Sequence, residues 1–488
     1  MTDKHRKTEG GTAFMSRKNL IIVLVVLIAV AAIVALAVAL PQFAKCSPSG
    51  GTTPSPTETE PGSPTPDPNP EEYAKRFGDF SAITCTIGDD PKTTANITWQ
   101  SLAAAQTGYV RIYEKSAGSA SAAVVTANVF SETLSVPVLG QYDLKNPELS
   151  DVKGQIYRCY LTGLKPGTEY VYVAGYEGGA ESSEMSFKTA GESDSFSFVL
   201  VADTQGFTKR NFDVWETLAT LSAEKFGDFD FLIHLGDTVE EGKNHYQWQL
   251  YFNAAEKLTF GKQVVDVAGN RDKKHTLLRY TNGAAENRTA LVSGYYSFDW
   301  GNIHFTVLNT GDGEKGLAKS QLKWLESDLA SAGDKTKIIL MHKAPYTNAN
   351  HYKDSEIVAM RGQILPVAET HGVKLVISGH DHYYFRSKPI DGNANAVPCT
   401  TETVNISGVD VEMLRSNGTV YFVNGSAGCK QHDNNVDVAA EINYERASLL
   451  KGPSISYVTA DSDKIVFYTY VCEDNKLTLF DAFGIYLK

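Results

Sequence analysis

The segment LVISGHDHYYFRS carries two histidines, His380 and His382, one residue apart and directly after a short apolar run. Imidazole and carboxylate groups at the end of a buried strand are costly unless they bind something. Two histidines at positions i and i+2 have the reach to serve two neighbouring metal ions rather than to chelate one. The segment therefore suggests a metal site at the end of a strand.

Four further apolar runs also stop on a side chain that can bind a metal. The runs are FSFVLVAD, FDFLIHLGD, QVVDVAGN and TKIILMH, and they end at Asp203, Asp237, Asn270 and His342. Helical stretches such as residues 319–333 lie between them, and this alternation is typical of an α/β fold. Because ligands in such folds bind beyond the carboxyl ends of the strands, we expect these side chains to converge with the two histidines.

This set of donors indicates a particular chemistry. Oxygen and imidazole ligands without thiolates suit iron, manganese or zinc. A carboxylate shared by two cations lets them approach to roughly 3.5–4 Å, and such a pair clamps a phosphoryl group and lowers the pKa of bound water. GD and GN are common turns and a single histidine often belongs to a core, so the prediction of a dinuclear site rests on the whole ordered set.

Composition and the N-terminus limit the partners of the protein. The chain has 488 residues and a formal net charge of −12, which argues against nucleic acid as a structural partner. Residues 20–40 carry no polar side chain and can cross a hydrocarbon core of roughly 30 Å. Basic residues are concentrated before this run, so we expect residues 1–19 in the cytoplasm and the remainder outside the cell membrane. A cleaved signal peptide, which would give a secreted protein, is the alternative.

The rest of the chain divides into three parts. Residues 41–75 are rich in Pro, Ser, Thr and Gly and are predicted to form a disordered stalk. Residues 76–190 contain short alternating segments with turn signals between them, which predict an all-β sandwich. Residues 191–488 form the predicted α/β domain that carries the candidate metal ligands.

The cysteines leave the disulfide pattern open. In an exported chain, Cys85 with Cys159 and Cys399 with Cys429 are possible pairs. No pair of cysteines has the spacing of a zinc site.

The order AD, GD, GN, MH and GHDH resembles the calcineurin-like metallophosphoesterase superfamily. Within it, GHDHYYFRS is similar to the G-H-x-H-x-Y-x-R motif of purple acid phosphatases, and ITWQS, LKPGTEYVYVAG and MSFKTA resemble the fibronectin type III-like domain that precedes their catalytic domain. The resemblance covers residues 80–488. It implies an α/β catalytic domain of two β-sheets flanked by helices, preceded by a β-sandwich.

The resemblance also implies a role for each candidate ligand. One metal ion would be held by Asp203 and His382, the second by Asn270, His342 and His380, and Asp237 would bridge the two. Gln205 stands where many relatives carry a ligating histidine. Its amide oxygen would either bind the first metal or contact the phosphate.

Two positions depart from the purple acid phosphatase pattern. Glu240 replaces a tyrosine three residues after the bridging aspartate, so the ferric charge-transfer colour is not expected. Arg271 replaces a histidine that contacts the phosphate. Arginine cannot serve as a general acid near neutral pH, but its fork of donors can grip a phosphate oxygen. The alternative is that Arg271 only pairs with Asp272.

A proton donor is still required for the leaving group. His351 resembles the second active-site histidine of plant-type members, and we predict that it acts as general acid or phosphate contact. A solvated loop histidine without a role is the alternative.

Together these observations predict an extracytoplasmic, membrane-anchored phosphoesterase with two Fe, Mn or Zn ions that hydrolyses small phosphomonoesters through metal-activated hydroxide. Two alternatives stay open: a phosphodiesterase acting on nucleotides or cell-wall polymers, and a non-catalytic surface binding protein that retains the fold. The sequence leaves the substrate, the metal and the oligomeric state undetermined.

Overall fold

The structure is a computed structural model that describes residues 79–259, 261–282, 294–311, 315–431 and 442–488. The predicted cytoplasmic tail, transmembrane helix and stalk, residues 1–75, lie outside these described residues. Among the described residues, no helix combines the length and the apolar character needed to cross a membrane.

The described chain consists mainly of strands, with four α-helices placed among them. The helices are α1 (Lys209–Phe226), α2 (His245–Thr259), α3 (Lys319–Ser331) and α4 (Ser355–His371). The strands are β1 (Thr84–Ile87), β2 (Ala95–Ser101), β3 (Gly108–Glu114), β4 (Ala123–Thr126), β5 (Asn128–Pro137), β6 (Leu149–Leu161), β7 (Glu169–Tyr176), β8 (Met185–Lys188), β9 (Phe196–Val201), β10 (Phe231–His234), β11 (Gln263–Asp266), β12 (Tyr296–Trp300), β13 (Ile303–Leu308), β14 (Thr336–Met341), β15 (Leu375–Ser378), β16 (Tyr384–Ser387), β17 (Cys399–Ile406), β18 (Val409–Ser416), β19 (Val420–Asn424), β20 (Tyr444–Ser448), β21 (Ser454–Ala460), β22 (Lys464–Glu473) and β23 (Lys476–Tyr486).

The N-terminal part is built from strands whose apolar faces meet in one core. Strands β4, β3, β7 and β8 form one sheet, and β1, β2, β6 and β5 belong to a second. Trp99 of β2 and Tyr157 of β6 are fully buried and stack at 5.0 Å between ring centroids. The two rings form a cross-strand pair within the second sheet and belong to the core that both sheets share.

The C-terminal part contains two sheets that face each other. A 12-stranded sheet, to which β1, β2, β6 and β5 of the N-terminal part also belong, includes the parallel strands β9, β10 and β11. A 7-stranded sheet includes the parallel strands β13, β14, β15 and β19. Phe231 on β10 stacks on Phe198 at 5.1 Å and meets Phe305 of the opposite sheet at 6.1 Å. All three rings are fully buried, so the inner faces of both sheets share one core.

Helices cover the outer faces of these sheets. The helix α1 begins after Thr208, whose side chain takes part in a capping box with Asn211, and it ends at Gly227. Its residues Trp215 and Leu218 are fully buried against the 12-stranded sheet, as spacing of three along a helix face predicts. The helix predicted from residue 319 is present as α3 and packs with α4 against the 7-stranded sheet.

One sheet runs through both parts of the chain. Strand β1 pairs in parallel with β11, with Thr86 opposite Val264, and antiparallel with β2. The hydroxyl of Thr84 donates to the carbonyl of Arg279 at 2.6 Å, and that of Thr98 donates to Thr281 at 2.7 Å. The two parts predicted from sequence are therefore joined by backbone and side-chain hydrogen bonds rather than by a linker alone.

The described cysteines are all free thiols. Neither of the two possible pairs, Cys85 with Cys159 or Cys399 with Cys429, forms a disulfide in this structure. Burial raises the pKa of the Cys85 thiol, which makes it a weak nucleophile.

Candidate metal centre

Five strand ends from the two facing sheets bring the predicted ligands together. Strands β9, β10 and β11 end shortly before Asp203, Asp237 and Asn270, and strands β14 and β15 end before His342, His380 and His382. We call these six residues, which follow the carboxyl ends of strands in both sheets, the six-residue cluster.

His342 lies at the centre of this cluster and is fully buried. Its Nδ1 donates to the carbonyl of Leu235 at 2.8 Å, which leaves the Nε2 lone pair facing the cluster. Nε2 lies 3.0 Å from Oδ1 of Asn270 and 3.3 Å from Oδ1 of Asp237. One ligand atom each from Asp237, His342 and His380 lies within 4.8 Å of the others, a separation that suits a shared cation.

Asp203 and His382 form a second group of donors. The Nδ1 of His382 donates to the carbonyl of Lys430 at 2.8 Å, and its Nε2 lies 3.5 Å from Oδ1 of Asp203. The other oxygen of Asp203 accepts the backbone N–H of His380 at 2.9 Å. Within the described residues, the buried Oδ1 of Asp203 has no hydrogen-bond partner. A fully buried carboxylate oxygen without a partner is costly, and a cation at this position would remove the cost.

The electrostatics of the two aspartates differ. Burial raises the pKa of the Asp203 carboxyl well above its usual range, and the nearby charge of Asp237 raises it further. Burial acts on Asp237 in the same direction, but the neighbouring His342 outweighs it, and the pKa of Asp237 is lowered. A cation held between the two aspartates would offset both the burial of Asp203 and the repulsion from Asp237, and would favour the ionised form of each.

Four members of the cluster have a strained backbone. The φ angles of Asp203, Asp237, His380 and His382 are 55°, 52°, 71° and 50°. Left-handed backbone costs a residue with a side chain of the order of 1 kcal/mol or more, and such strain collects at functional sites. Four of the six predicted ligands are thus strained, which supports a functional rather than a structural role for this cluster.

Comparison with known proteins agrees with this geometry. Residues 196–384 match the family described as Calcineurin-like phosphoesterase, and residues 81–189 match the family described as Purple acid Phosphatase, N-terminal domain. The chain thus resembles purple acid phosphatases of the calcineurin-like superfamily. The matched residues include every member of the six-residue cluster.

Similar proteins occur in a plant and in a bacterium. Purple acid phosphatase 22 of Arabidopsis thaliana is 29% identical over 259 residues, covering 50% of this chain and 56% of the relative. The uncharacterized protein Rv2577 of Mycobacterium tuberculosis is 21% identical over 322 residues, covering 58% and 60%. The chain therefore spans little more than half the length of these curated relatives.

A solved structure shares the fold. The purple acid phosphatase PPD1 from yellow lupin (Lupinus luteus) seeds superposes with a TM-score of 0.66 at 18% identity, covering 83% of this chain and 74% of that one. Purple acid phosphatases and calcineurin-like phosphoesterases use a dinuclear centre of Fe, Mn or Zn. The carboxylate, amide and imidazole donors of the six-residue cluster, with the unpartnered oxygen of Asp203, fit such a centre.

Gln205 lies beside the cluster and is buried. Its backbone N–H donates to the carbonyl of Asp237 at 3.1 Å, and its side-chain Oε1 has no partner within the described residues. The structure thus brings a second unpartnered oxygen to the position where relatives carry a ligating histidine. Both predicted roles, metal ligand and phosphate contact, remain predictions.

Arg271 does not pair with Asp272, so that alternative is wrong. The carboxylate of Asp272 accepts the backbone N–H groups of Thr238 and Val239 at 3.1 and 3.0 Å, and it is fully buried. The side chain of Arg271 points elsewhere, with Nη1 3.2 Å from Oε1 of Glu240. The side chain of Arg271 remains 48% exposed, so it is accessible to an anion.

Glu240 is the centre of a charged triad that the sequence did not reveal. Its side chain is 6% exposed, and its second oxygen accepts a hydrogen bond from Nζ of Lys430. Through the backbone, Arg271 donates to Asp237 at 2.7 Å and Lys430 accepts from His382. The charged triad of Glu240, Arg271 and Lys430 is therefore attached to the six-residue cluster at both ends.

His351 also lies against the cluster. Its Nδ1 is 2.6 Å from Oδ2 of Asp354, and its ring centroid is 4.4 Å from that of His380. The ring is thus paired and packed, unlike the solvated loop histidine that was the alternative. A carboxylate on one ring nitrogen orients the imidazole in the manner that proton-transferring histidines require.

Gly428 allows the segment after β19 to approach the segment after β9 closely. A Cβ atom on Gly428, in the NGSAG motif after β19, would lie 2.7 Å from the backbone oxygen of Asp203. The hydroxyl of Ser426 donates to the same oxygen at 2.9 Å. This segment therefore supports the loop that carries Asp203, a role that the sequence alone did not indicate.

Proposed function

We propose that this protein is a metal-dependent phosphoesterase that hydrolyses phosphomonoesters. One observation supports this proposal above the others: six donor side chains from the carboxyl ends of two facing sheets converge into one cluster, of which four members are buried and four have left-handed backbone. Two bound cations would supply Lewis acidity toward the phosphoryl oxygens and a nucleophile at neutral pH.

The residues around the cluster have distinct roles in this proposal. The exposed guanidinium of Arg271 binds phosphate oxygens through its fork of donors and stabilises the charge that develops there. His351, oriented by Asp354, gives a proton to the departing alcohol. The buried carboxylate of Glu240 keeps Arg271 at the edge of the cluster.

Phosphomonoesters are favoured over diesters because two cationic side chains, Arg271 and Lys430, lie at the edge of the six-residue cluster. A monoester carries two negative charges at neutral pH, and Arg271 and Lys430 both lie beside Glu240, with side chains 48% and 30% exposed. The triad therefore carries a net positive charge. This charge attracts a doubly charged monoester more strongly than a singly charged diester.

We also propose that residues 20–40 anchor the protein in the cell membrane with the catalytic part outside. The uninterrupted apolar run and the basic residues before it support this arrangement. Extraction of the full-length chain by detergent but not by alkaline carbonate, together with protease access to C-terminal epitopes on intact cells, is expected. Release of the protein in soluble form would instead support the cleaved signal peptide.

The catalytic proposal is tested with the detergent-solubilised full-length chain and its Asp237→Asn variant. Bound metal is counted by elemental analysis, and phosphate release is measured with phenyl phosphate and diphenyl phosphate. We expect two ions per wild-type chain, fewer in the variant, and a fall in turnover of about 10³-fold or more. Asp213→Asn, at an exposed position of α1 paired with Lys209, is the matched control.

The outcomes separate the alternatives. Undiminished turnover of Asp237→Asn contradicts the proposed metal site. Faster cleavage of the diester than of the monoester supports the phosphodiesterase alternative. Two bound ions without cleavage of any phosphate ester favour the non-catalytic binding protein.

A further inference from the structure

A loop of the N-terminal β part reaches the edge of the candidate metal centre. This loop, residues 138–148, connects β5 to β6. Tyr142 is 4% exposed and packs against Tyr246 of α2 at 5.4 Å between ring centroids. Asp143 accepts a hydrogen bond from the Tyr246 hydroxyl at 2.7 Å. The loop is therefore anchored on the C-terminal part by an apolar and a polar contact.

The anchored loop places Lys145 over an aromatic ring near the cluster. The Nζ atom of Lys145 lies 5.3 Å from the ring centroid of Phe207, which follows Gln205 by two residues. Lys430, a member of the charged triad, lies 5.5 Å from the same ring. Two ammonium groups thus converge on one ring, although like charges repel and the protein as a whole is acidic.

The two ammonium groups are not equally neutralised. Lys430 is paired with Glu240, and that carboxylate also serves Arg271. Lys145 is exposed and forms no ion pair with any part of the chain that the structure describes. The group of Lys145, Phe207 and Lys430, which we call the basic rim, therefore has positive charge in excess.

We propose that the basic rim binds a second phosphate group of the substrate, carried by the leaving group. This inference rests on the proposed function and narrows its substrate class to phosphomonoesters that bear a further phosphate. Lysine ammonium groups bind phosphate as mobile point charges, and the Nζ atoms of Lys145 and Lys430 lie 5.3 and 5.5 Å from the centroid of the Phe207 ring. Lys145 is then a specificity residue supplied by the N-terminal part of the chain.

The test compares two sugar phosphates that differ only in the second group. Initial phosphate release is measured for fructose 1,6-bisphosphate and fructose 1-phosphate, with the full-length wild type and its Lys145→Gln variant. We expect the ratio of kcat/KM for the bisphosphate over the monophosphate to fall about three- to fivefold in the variant, the size of one exposed charge interaction. Lys153→Gln, an exposed lysine on β6 of the same part, is the charge-matched control and should keep the wild-type ratio.

Salt provides a readout that a structural role of Lys145 would not change. The preference of the wild type for the bisphosphate should weaken as NaCl rises from about 20 to about 300 mM, because exposed charges are screened, and it should weaken less in Lys145→Gln. An equal ratio in wild type and Lys145→Gln overturns the proposal. So does a wild type that does not prefer the bisphosphate.

Failure of the proposed function gives a different result. If neither ester releases phosphate, calorimetric binding of intact fructose 1,6-bisphosphate to wild type and Lys145→Gln decides the matter. If Lys145→Gln binds the bisphosphate about three- to fivefold more weakly than wild type, the basic rim binds phosphate even though the protein does not hydrolyse the ester. Equal binding by both proteins overturns the proposal.

Discussion

At the scale of single residues, the arrangement of His351 makes the proposed proton transfer specific. Asp354 lies at the position before α4 and could cap that helix, yet its side chain makes no capping hydrogen bond and contacts His351 instead. A carboxylate used in this way forgoes helix stabilisation of about 1 kcal/mol. The pairing therefore favours a function for His351 over a purely local role.

A leaving-group series tests this role. In His351→Gln we expect kcat for phenyl phosphate to fall about 10²-fold or more, because phenolate leaves poorly without a proton. The fall for p-nitrophenyl phosphate should be much smaller, since its leaving group is a stable anion. Steady-state kinetics with both esters provide the measurement.

The control for this series is His371→Gln, in the last turn of α4. It should behave as wild type with both esters. Equal losses for both leaving groups in His351→Gln would show that His351 contacts the phosphate rather than donating the proton.

At the scale of elements, the loops that follow the strands pass so close to one another that a glycine is needed where they meet. A Cβ atom on Gly379, directly after β15, would lie 2.8 Å from both the Cβ of Ala202 and Oδ2 of Asp203. We expect Gly379→Ala to displace the Asp203 carboxylate and to lower the number of bound metal ions. Metal content after dialysis provides the measurement.

Gly362→Ala provides the matched change on an element away from the cluster. Gly362 lies in α4, and an added Cβ would meet no atom within 4 Å. Since alanine favours helix over glycine by about 1 kcal/mol, this variant should be slightly more stable and keep its metal. Full metal content in Gly379→Ala would show that the loop can move without loss of the site.

Strand β13 carries a buried ion pair whose strength depends on pH. His304 lies 2.7 Å from Asp299 of β12 and 3.0 Å from Asp328 of α3. Burial alone lowers the pKa of His304, but the hydrogen bonds and charges of these two carboxylates outweigh it and raise the pKa to about 9. The protonated form of His304 therefore links the helix to the sheet.

This pair predicts a loss of stability in alkaline solution. The pKa of His304 rises from 6.5 in the unfolded chain to about 9, so its contribution is complete below about pH 6.5 and is lost as the pH rises through about 9. The shift corresponds to roughly 3 kcal/mol. Urea unfolding gives the free energy of unfolding of wild type and of His304→Gln. The difference between the two should be roughly 3 kcal/mol larger at pH 6 than at pH 10. A difference that does not change with pH contradicts the assignment.

At the scale of the whole molecule, the shared sheet makes the N-terminal part an integral support. The pairing of β1 with β11 and the loop with Tyr142 both connect it to the C-terminal part. Because these contacts are backbone hydrogen bonds and buried aromatic packing, we expect both parts to unfold together rather than in sequence.

A core substitution in the N-terminal part tests this cooperativity. Trp99→Ala should cost about 3–5 kcal/mol and should lower the temperature at which the C-terminal part unfolds and releases metal. Calorimetry with a metal indicator follows both events. Val124→Ala, at a side chain 63% exposed, should leave both unchanged. Two separate transitions, with metal release unmoved by Trp99→Ala, would contradict a single cooperative unit.

The sequence by itself determined the local features of this protein. The apolar runs that end at Asp203 and His342 are present as β9 and β14, and the predicted helix from residue 319 is present as α3. Strand and helix periods and the polar residues that follow them are encoded within about ten neighbouring residues, so they can be read without knowledge of the fold. The order of the donor groups was sufficient to predict a phosphoesterase-like fold.

Only the tertiary structure decided which distant side chains meet. Glu240 and Lys430 are 190 positions apart in the chain, and Lys145 belongs to a different part from Phe207, so neither contact leaves a local pattern. The same holds for the pairing of Arg271 with Glu240 rather than with its neighbour Asp272, and for the sheet that joins β1 to β11. These contacts depend on how the sheets pack and align, which is a property of the assembled core and not of any single segment.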